Sequence, residues 1–254
     1  MKMKNWPYPK LFAHRGGGSL APENTLAAVR LGQSLGYEAH EFDVKLSKDG
    51  VAMLLHDDTL ERTSTGKGRA ADFTWKELLA FDAGAWHSEQ YRGERLASFE
   101  DVARALIERG HTANVEIKPT KGFERETGTA VARAAAKLWA GAKVQPLLSS
   151  FSFDALMAAK EAAPQLARGW LIGEFGEADW ARLEQLGAVS LHTNYKKFEV
   201  EDVKRLHDRG YRVMLYTVNE PDIAARLIDA GVDGLFTDNL KVFAERFPHL
   251  RSIA

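Results

Sequence analysis

Short apolar runs alternate with stretches of helical periodicity along almost the whole chain. Runs at 11–13, 37–46, 113–118, 145–149, 167–171, 188–192, 212–218 and 234–237 predict strands, since each is short and bounded by turn-forming residues. The intervening stretches 25–35, 98–110, 124–139, 153–161, 178–186, 201–209 and 220–230 place apolar residues three and four apart, the spacing of an amphipathic helix. Ser98 precedes Glu100 and Asp101 as a helix cap would. Gly36, Gly141, Gly187, Gly210 and Gly231 stand where helices should end in a left-handed residue.

One connection breaks this rhythm. Ser47-Lys48-Asp49-Gly50 separates 37–46 from a further apolar run at 51–55. Four residues cannot carry a parallel crossover, so 51–55 must return antiparallel to its predecessor. The hairpin then opens an insertion, 47–96, that runs through the Gly/Ser/Thr-rich stretch 63–68 and carries Phe73, Trp75, Phe81 and Trp86 as apolar anchors. Without the returning strand, eight parallel-type strands remain, the number that closes a (β/α)₈ barrel. Gly16-Gly17-Gly18 is followed by Ser19 and Leu20, which fails the dinucleotide fingerprint, and no P-loop lysine is present. The expectation is one α/β domain over 1–254, a distorted (β/α)₈ TIM barrel with a small insertion after its second strand.

Composition narrows the partners. The 254 residues carry a formal net charge of -1, with no cysteine. No basic block reaches the density of a nucleic-acid or membrane surface, so a small-molecule substrate is expected, with neither nucleic acid nor stable membrane association. Thiolate metal sites, disulfides and a cysteine nucleophile are excluded, which suits a reducing, cytoplasmic setting. Met1-Lys2-Met3-Lys4 resembles the start of a signal segment, but no apolar core follows before Pro7 and Pro9. Oligomeric state is left open.

The chemistry lies at the predicted strand ends. Glu41 and Asp43 share one face of a strand, and Glu116 and Lys118 share a face of another. Carboxylates gathered on a buried face need a metal, a cationic side chain or a shared proton. A hard divalent ion, Mg²⁺ or Ca²⁺, suits three carboxylates, and Mn²⁺ fits as well. His14-Arg15 and His56-Asp57 end two more apolar runs, offering imidazoles for proton transfer and a guanidinium for phosphate. Each also has a plainer reading, the histidines as hydrogen-bonded packing residues and Lys118 as an ion-pair partner of the acids. Asn24 or Thr25 can cap a helix, whereas Glu23 either orients Arg15 or completes a metal shell. Trp170, Phe175, Tyr195, Tyr216 and Phe236 could wall a substrate pocket or merely pack, and His192 stands at another strand end. Thr237-Asp238-Asn239 could hold a hydroxyl or simply stop the last strand.

An ordered set of motifs gives these residues a family likeness: His14-Arg15-Gly16, Pro22-Glu23-Asn24-Thr25, Glu41-Phe42-Asp43-Val44, His56-Asp57-Asp58-Thr59-Leu60-Glu61-Arg62-Thr63, Val115-Glu116-Ile117-Lys118-Pro119, Ser149-Ser150-Phe151, Thr217-Val218-Asn219 and 231–238. The chain resembles the glycerophosphodiester phosphodiesterases of the short cytoplasmic bacterial type from residue 11 to about 240. Ala97 and Ser64 depart from the common pattern without touching the candidate chemistry. The resemblance implies a TIM barrel with its insertion near His56, a divalent cation on Glu41, Asp43 and Glu116, His14 and His56 as acid–base pair, and Arg15 and Lys118 at the phosphate. It implies hydrolysis of glycerophosphodiesters to sn-glycerol 3-phosphate and an alcohol through a cyclic 1,2-phosphate, with His14 read as first base and His56 as acid. Two alternatives accompany it: a lysophospholipase-D-like enzyme with an apolar channel made by the insertion aromatics, and a non-catalytic barrel that binds a phosphorylated metabolite.

Overall fold

The computed structural model describes residues 5–253; the Met1-Lys2-Met3-Lys4 segment considered above lies outside them. The chain begins with β1 (Leu11–Ala13), α1 (Leu26–Ser34), β2 (Ala39–Leu46) and β3 (Ala52–Leu54). The insertion contains the one-turn helix α2 (Trp75–Leu78), and α3 (Phe99–Ile107) returns the chain to the barrel. Strands and helices then alternate as β4 (Thr112–Ile117), α4 (Glu124–Leu138), β5 (Leu147–Ser150), α5 (Phe153–Ala162), β6 (Ala167–Leu171) and α6 (Ala178–Leu186). The last third holds β7 (Ser190–Asn194), α7 (Glu201–Asp208), β8 (Arg212–Tyr216), α8 (Pro221–Asp229), β9 (Gly234–Thr237) and α9 (Leu240–Arg246).

The sheet runs β1-β9-β8-β7-β6-β5-β4-β2-β3, and an additional β1–β2 pairing closes it. All neighbours are parallel except β3, which pairs antiparallel with β2. This is the barrel and the hairpin return expected from the chain's rhythm. Helix α9 was not anticipated, because its apolar residues follow the strand-ending Thr237-Asp238 with too few turns to make a clear stripe.

Strand alternation divides the core in two. Outward positions such as Phe42, Val44, Val115, Leu148 and Leu191 pack against the helix ring. Inward positions Phe12, Ala39, Leu147, Met214 and Phe236 fill the barrel, with Tyr8 packed among them. Each such burial contributes roughly 1.5–3 kcal/mol for a large apolar side chain. A third cluster, Met53, Leu55, Leu60, Leu78 and Leu96, is the insertion's own core, and Phe73, Trp75 and Phe81 pack on it. Three of the four aromatics proposed for an apolar channel are thus spent on packing. Trp86 remains 40% exposed.

Where α4 crosses α5, Gly128 makes the approach possible. A Cβ there would lie 2.1 Å from the Ala155 carbonyl oxygen. Alanine ordinarily favours a helix interior over glycine by about 1 kcal/mol. Here the clash reverses the sign, and G128A should lose about 1–3 kcal/mol of stability, read as a lower urea midpoint. A gain in stability would show that the helices do not meet so closely.

Candidate active site

Beta-strand register brings the three acids together. Asp43 of β2 pairs directly with Glu116 of β4, and Glu41 pairs with Asn114, so all four point into the barrel from adjacent parallel strands. Glu41, Asp43 and Glu116 each offer a carboxylate oxygen within 4.8 Å of the others. All three are buried. This is an all-oxygen donor set of the kind a hard divalent cation takes.

The β1–α1 loop wraps this centre. Arg15 is held in the left-handed region at φ 50°, followed by Gly16 at 85°, a turn that few non-glycine residues adopt. The turn aims the Arg15 backbone N–H at Glu41 Oε2, 3.0 Å away, and carries its Nη1 to Glu23 Oε1 at 2.7 Å. Arg15 Nε also stands 3.8 Å from Asp43 Oδ2. Asn24, likewise left-handed at φ 59°, clamps Asp43 twice: its side-chain amide donates to Oδ2, and its carbonyl accepts from the Asp43 backbone N–H. Thr25, not Asn24, caps α1. Lys118 stands 3.3 Å from Asp43 and donates to Glu116 at 2.9 Å, so it is an ion-pair partner of the acids while still facing the cavity.

Both candidate imidazoles are oriented by carboxylates, Asp238 and Asp57, whose orienting role sequence reasoning missed. Asp238, just past β9, stands 2.6 Å from His14 Nδ1. Asp57 stands 2.6 Å from His56 Nδ1. Each contact fixes one ring nitrogen and leaves Nε2 for other partners. Arg62 ties Asp57 to Glu23, bonding both carboxylates. Lys45 follows Asp43 on the same strand face and is fully buried. Its ammonium donates to the Asp57 carbonyl at 2.7 Å and to Asp58 Oδ1 at 3.0 Å, which anchors the segment bearing His56. The period-2 spacing from Asp43 was the available signal for Lys45.

The groups converge on a cavity of about 240 Å³ lined by His14, Arg15, Glu41, Asp43, His56, Glu116 and Lys118, with Phe151, Leu171, Tyr216 and Phe236 among its apolar walls. Asn114 and His192 also line it, and the Asn114 Oδ1 and His192 Nδ1 atoms are buried without a hydrogen-bond partner. His192 Nε2 meets Ser190 Oγ at 2.9 Å. A Cβ on Gly169 would lie 2.2 Å from the same nitrogen, so this imidazole needs the glycine beside it. Trp170 corrects the expectation. It sits on the outward face of β6, where its indole N–H donates to Asp179 of α6, and Leu171 takes the inward position. The pleat admits only one of two consecutive residues to the barrel interior. Phe175 and Tyr195 also lie away from this cavity, packed against the outer core. Glu23 does not join the carboxylate cluster and instead holds Arg15, which favours the first of its two readings, the orienting one.

Electrostatics separates the ionisable groups. Burial pushes Glu41 up to about 7, against the pull of His14. Burial likewise pushes Glu116 up to about 8, reinforced by the Asp43 charge. Asp43 is also penalised by burial, but Lys118, Arg15 and His56 together outweigh that and hold it down at about 2. His14 is raised: burial disfavours its cation, yet the Asp238 hydrogen bond and the Glu41 charge win. His56 is lowered, burial outweighing the Asp43 charge and the Asp57 hydrogen bond.

A closed parallel barrel with a three-carboxylate centre and two carboxylate-held imidazoles at its mouth defines a hydrolase-type site suited to phosphate esters. Residues 14–242 match the glycerophosphoryl diester phosphodiesterase family, and the chain belongs to that family. It is 33% identical over 234 residues to a glycerophosphodiester phosphodiesterase of Caldanaerobacter subterraneus subsp. tengcongensis, covering 90% of this chain and 93% of the relative. A Bacillus subtilis glycerophosphodiester phosphodiesterase is 29% identical over 248 residues, covering 91% and 84%. An Oleispira antarctica phosphodiesterase, solved in complex with the product sn-glycerol-3-phosphate, superposes with a TM-score of 0.88 at 33% identity, covering 95% of this chain and 97% of that one. Among the described residues no helix is long and apolar enough to cross a membrane.

Carboxyls raised to about 7 and about 8 retain much of their protons at neutral pH, and a cation must displace them. Affinity of chelator-stripped protein for Mg²⁺, Ca²⁺ or Mn²⁺ should therefore rise with pH through this range, with protons released on binding. Calorimetry at pH 7 in buffers of unlike ionisation enthalpy checks it. Heats that do not depend on the buffer would contradict the carboxylate assignment.

Proposed function

We propose that the protein hydrolyses glycerophosphodiesters to sn-glycerol 3-phosphate and an alcohol, with Glu41, Asp43 and Glu116 holding a divalent cation and His14 and His56 moving protons. The observation that carries this reading is the convergence of three carboxylates and two separately oriented imidazoles on one cavity. Mg²⁺ or Ca²⁺ suits the all-oxygen donors best, with Mn²⁺ acceptable. When bound, the cation supplies positive charge against the phosphoryl oxygens and the substrate hydroxyl.

The glycerol 2-hydroxyl is tethered beside the phosphorus, so its attack avoids most of the entropic penalty of bringing in an external nucleophile. One imidazole takes the hydroxyl proton as the new O–P bond forms. The other gives a proton to the oxygen of the departing alcohol as its bond to phosphorus breaks. Water then opens the resulting cyclic 1,2-phosphate with the two imidazoles exchanging roles, yielding glycerol 3-phosphate. Arg15 and Lys118 offset the charge on the phosphoryl oxygens throughout. The opposed shifts of the two histidines favour His56 as first base and His14 as first acid, the reverse of the sequence expectation. The reading includes a cytoplasmic setting, carried by the cysteine-free sequence alone.

A coupled assay for glycerol 3-phosphate tests the function, with activity abolished by chelation and restored by one of the three cations. On glycerophosphocholine, H14A and H56A should each lose about 100-fold or more in kcat. A glycerophosphodiester of p-nitrophenol separates the roles, since that alcohol departs without a proton. Read as p-nitrophenol release in a single turnover, before the cyclic phosphate opens, H14A should recover most of its loss on it, and H56A should not. Near-normal kcat in both variants would remove the acid–base pair, and recovery in H56A alone would reverse its order.

A further inference from the structure

Beside the catalytic cavity lies a second groove of about 490 Å³, between the 18–20 turn and the insertion. It shares His14, Arg15 and Thr217 with the cavity. A phosphodiester held at Arg15, with its leaving oxygen at His14, therefore has one ester arm opening directly onto this groove.

We propose that the groove seats the leaving alcohol and that the exposed face of Trp86 makes it selective for alcohols bearing an ammonium group. This assignment rests on the proposed phosphodiesterase reading. The wall is built and fixed. The Trp86 indole N–H donates to the Ala83 carbonyl at 2.8 Å, which ties down the ring edge, and the exposed ring lines the groove. His87 packs edge-on against Trp86 at 5.7 Å, and its Nε2 meets the Ser19 carbonyl at 3.2 Å. Tyr91 packs on His87 in turn and donates to the Leu20 carbonyl. The insertion is thus fastened to the loop that carries His14 and Arg15, and Trp86 is positioned relative to them.

Ring occupancy, not net charge, favours an ammonium here, because Glu23 is also paired with Arg62. Glu23 and Asp238 are the acids of this groove, and Arg15 is its one cationic side chain among the lining residues apart from the imidazoles. Both acids already hold Arg15 and His14, so the selective contact left for an ammonium is the indole face. The groove on the other side of the cavity offers no equivalent. Its exposed aromatic, Phe151, already has the Lys118 ammonium 5.6 Å from its ring centroid, and Lys121 lines the same wall. Among the described residues no lysine or arginine sits over Trp86.

The test compares kcat/KM on glycerophosphocholine and on glycerophosphoglycerol for the metal-loaded wild type, Trp86→Ala and Trp86→Phe. Trp86→Ala should lose about five- to thirtyfold on the choline ester, mainly through KM, and less than about threefold on the glycerol ester. Trp86→Phe should retain part of the preference, and competitive inhibition by free choline should weaken in parallel with the loss. Equal losses on the two esters, or an unchanged choline ester, would overturn the subsite while leaving the phosphodiesterase reading intact. Hydrolysis of neither ester by the wild type would overturn both.

Discussion

Three carboxylates buried on adjacent strands at one end of a barrel cannot all remain charged without a cation among them. Taking even one carboxylate out of water is costly, and like charges within 4.8 Å of one another add to that penalty. The chain meets the problem unevenly. Lys118, Arg15 and Asn24 stabilise the charge on Asp43. Glu41 and Glu116 are left where burial favours their protonated forms. The arrangement is therefore compensated for one charge and short of compensation for two, which is the condition a divalent cation relieves. The other parts of the mouth are arranged around this deficit: the strained Arg15 turn, the Asn24 clamp, and the buried Lys45 that fastens the His56 segment.

The imidazoles depend on the same centre from opposite sides. His14 stands 3.7 Å from Glu41 and is held by Asp238, so two carboxyl groups face it. His56 lies on the insertion side, where the Asp57 charge is shared with Arg62. Similar residues with similar carboxylate partners are thereby pushed in opposite directions, as the proposed acid–base pair requires. The insertion is part of this arrangement, because it delivers His56, Arg62 and the Trp86 wall to a barrel whose strands provide the acids.

Much of the fold was legible because the barrel repeats a local rule. Period-2 spacing put Glu41 with Asp43 and Glu116 with Lys118 on single faces, and the four-residue Asp-Gly connection could only be a hairpin. What was not legible depended on phase or on distant partners. Trp170 and Leu171 are neighbours in an apolar run, and nothing local states which faces inward. Asp57 and Asp238 become orienting residues only once β1, β9 and the hairpin are juxtaposed, since Asp238 lies 224 positions from His14. Glu23 could be assigned to Arg15 only when the φ 50° turn of that residue was known. Trp86 read as another anchor of the insertion, because exposure is a property of the assembled surface.

The central claim is that Glu41, Asp43 and Glu116 share one cation. The most direct measurement is anomalous diffraction from crystals of the protein equilibrated with Mn²⁺. The expected result is a single strong peak at bonding distance from an oxygen of each of the three carboxylates. A peak coordinated elsewhere, or none at saturating Mn²⁺ with Lys118 still bridging Asp43 and Glu116, would contradict the account.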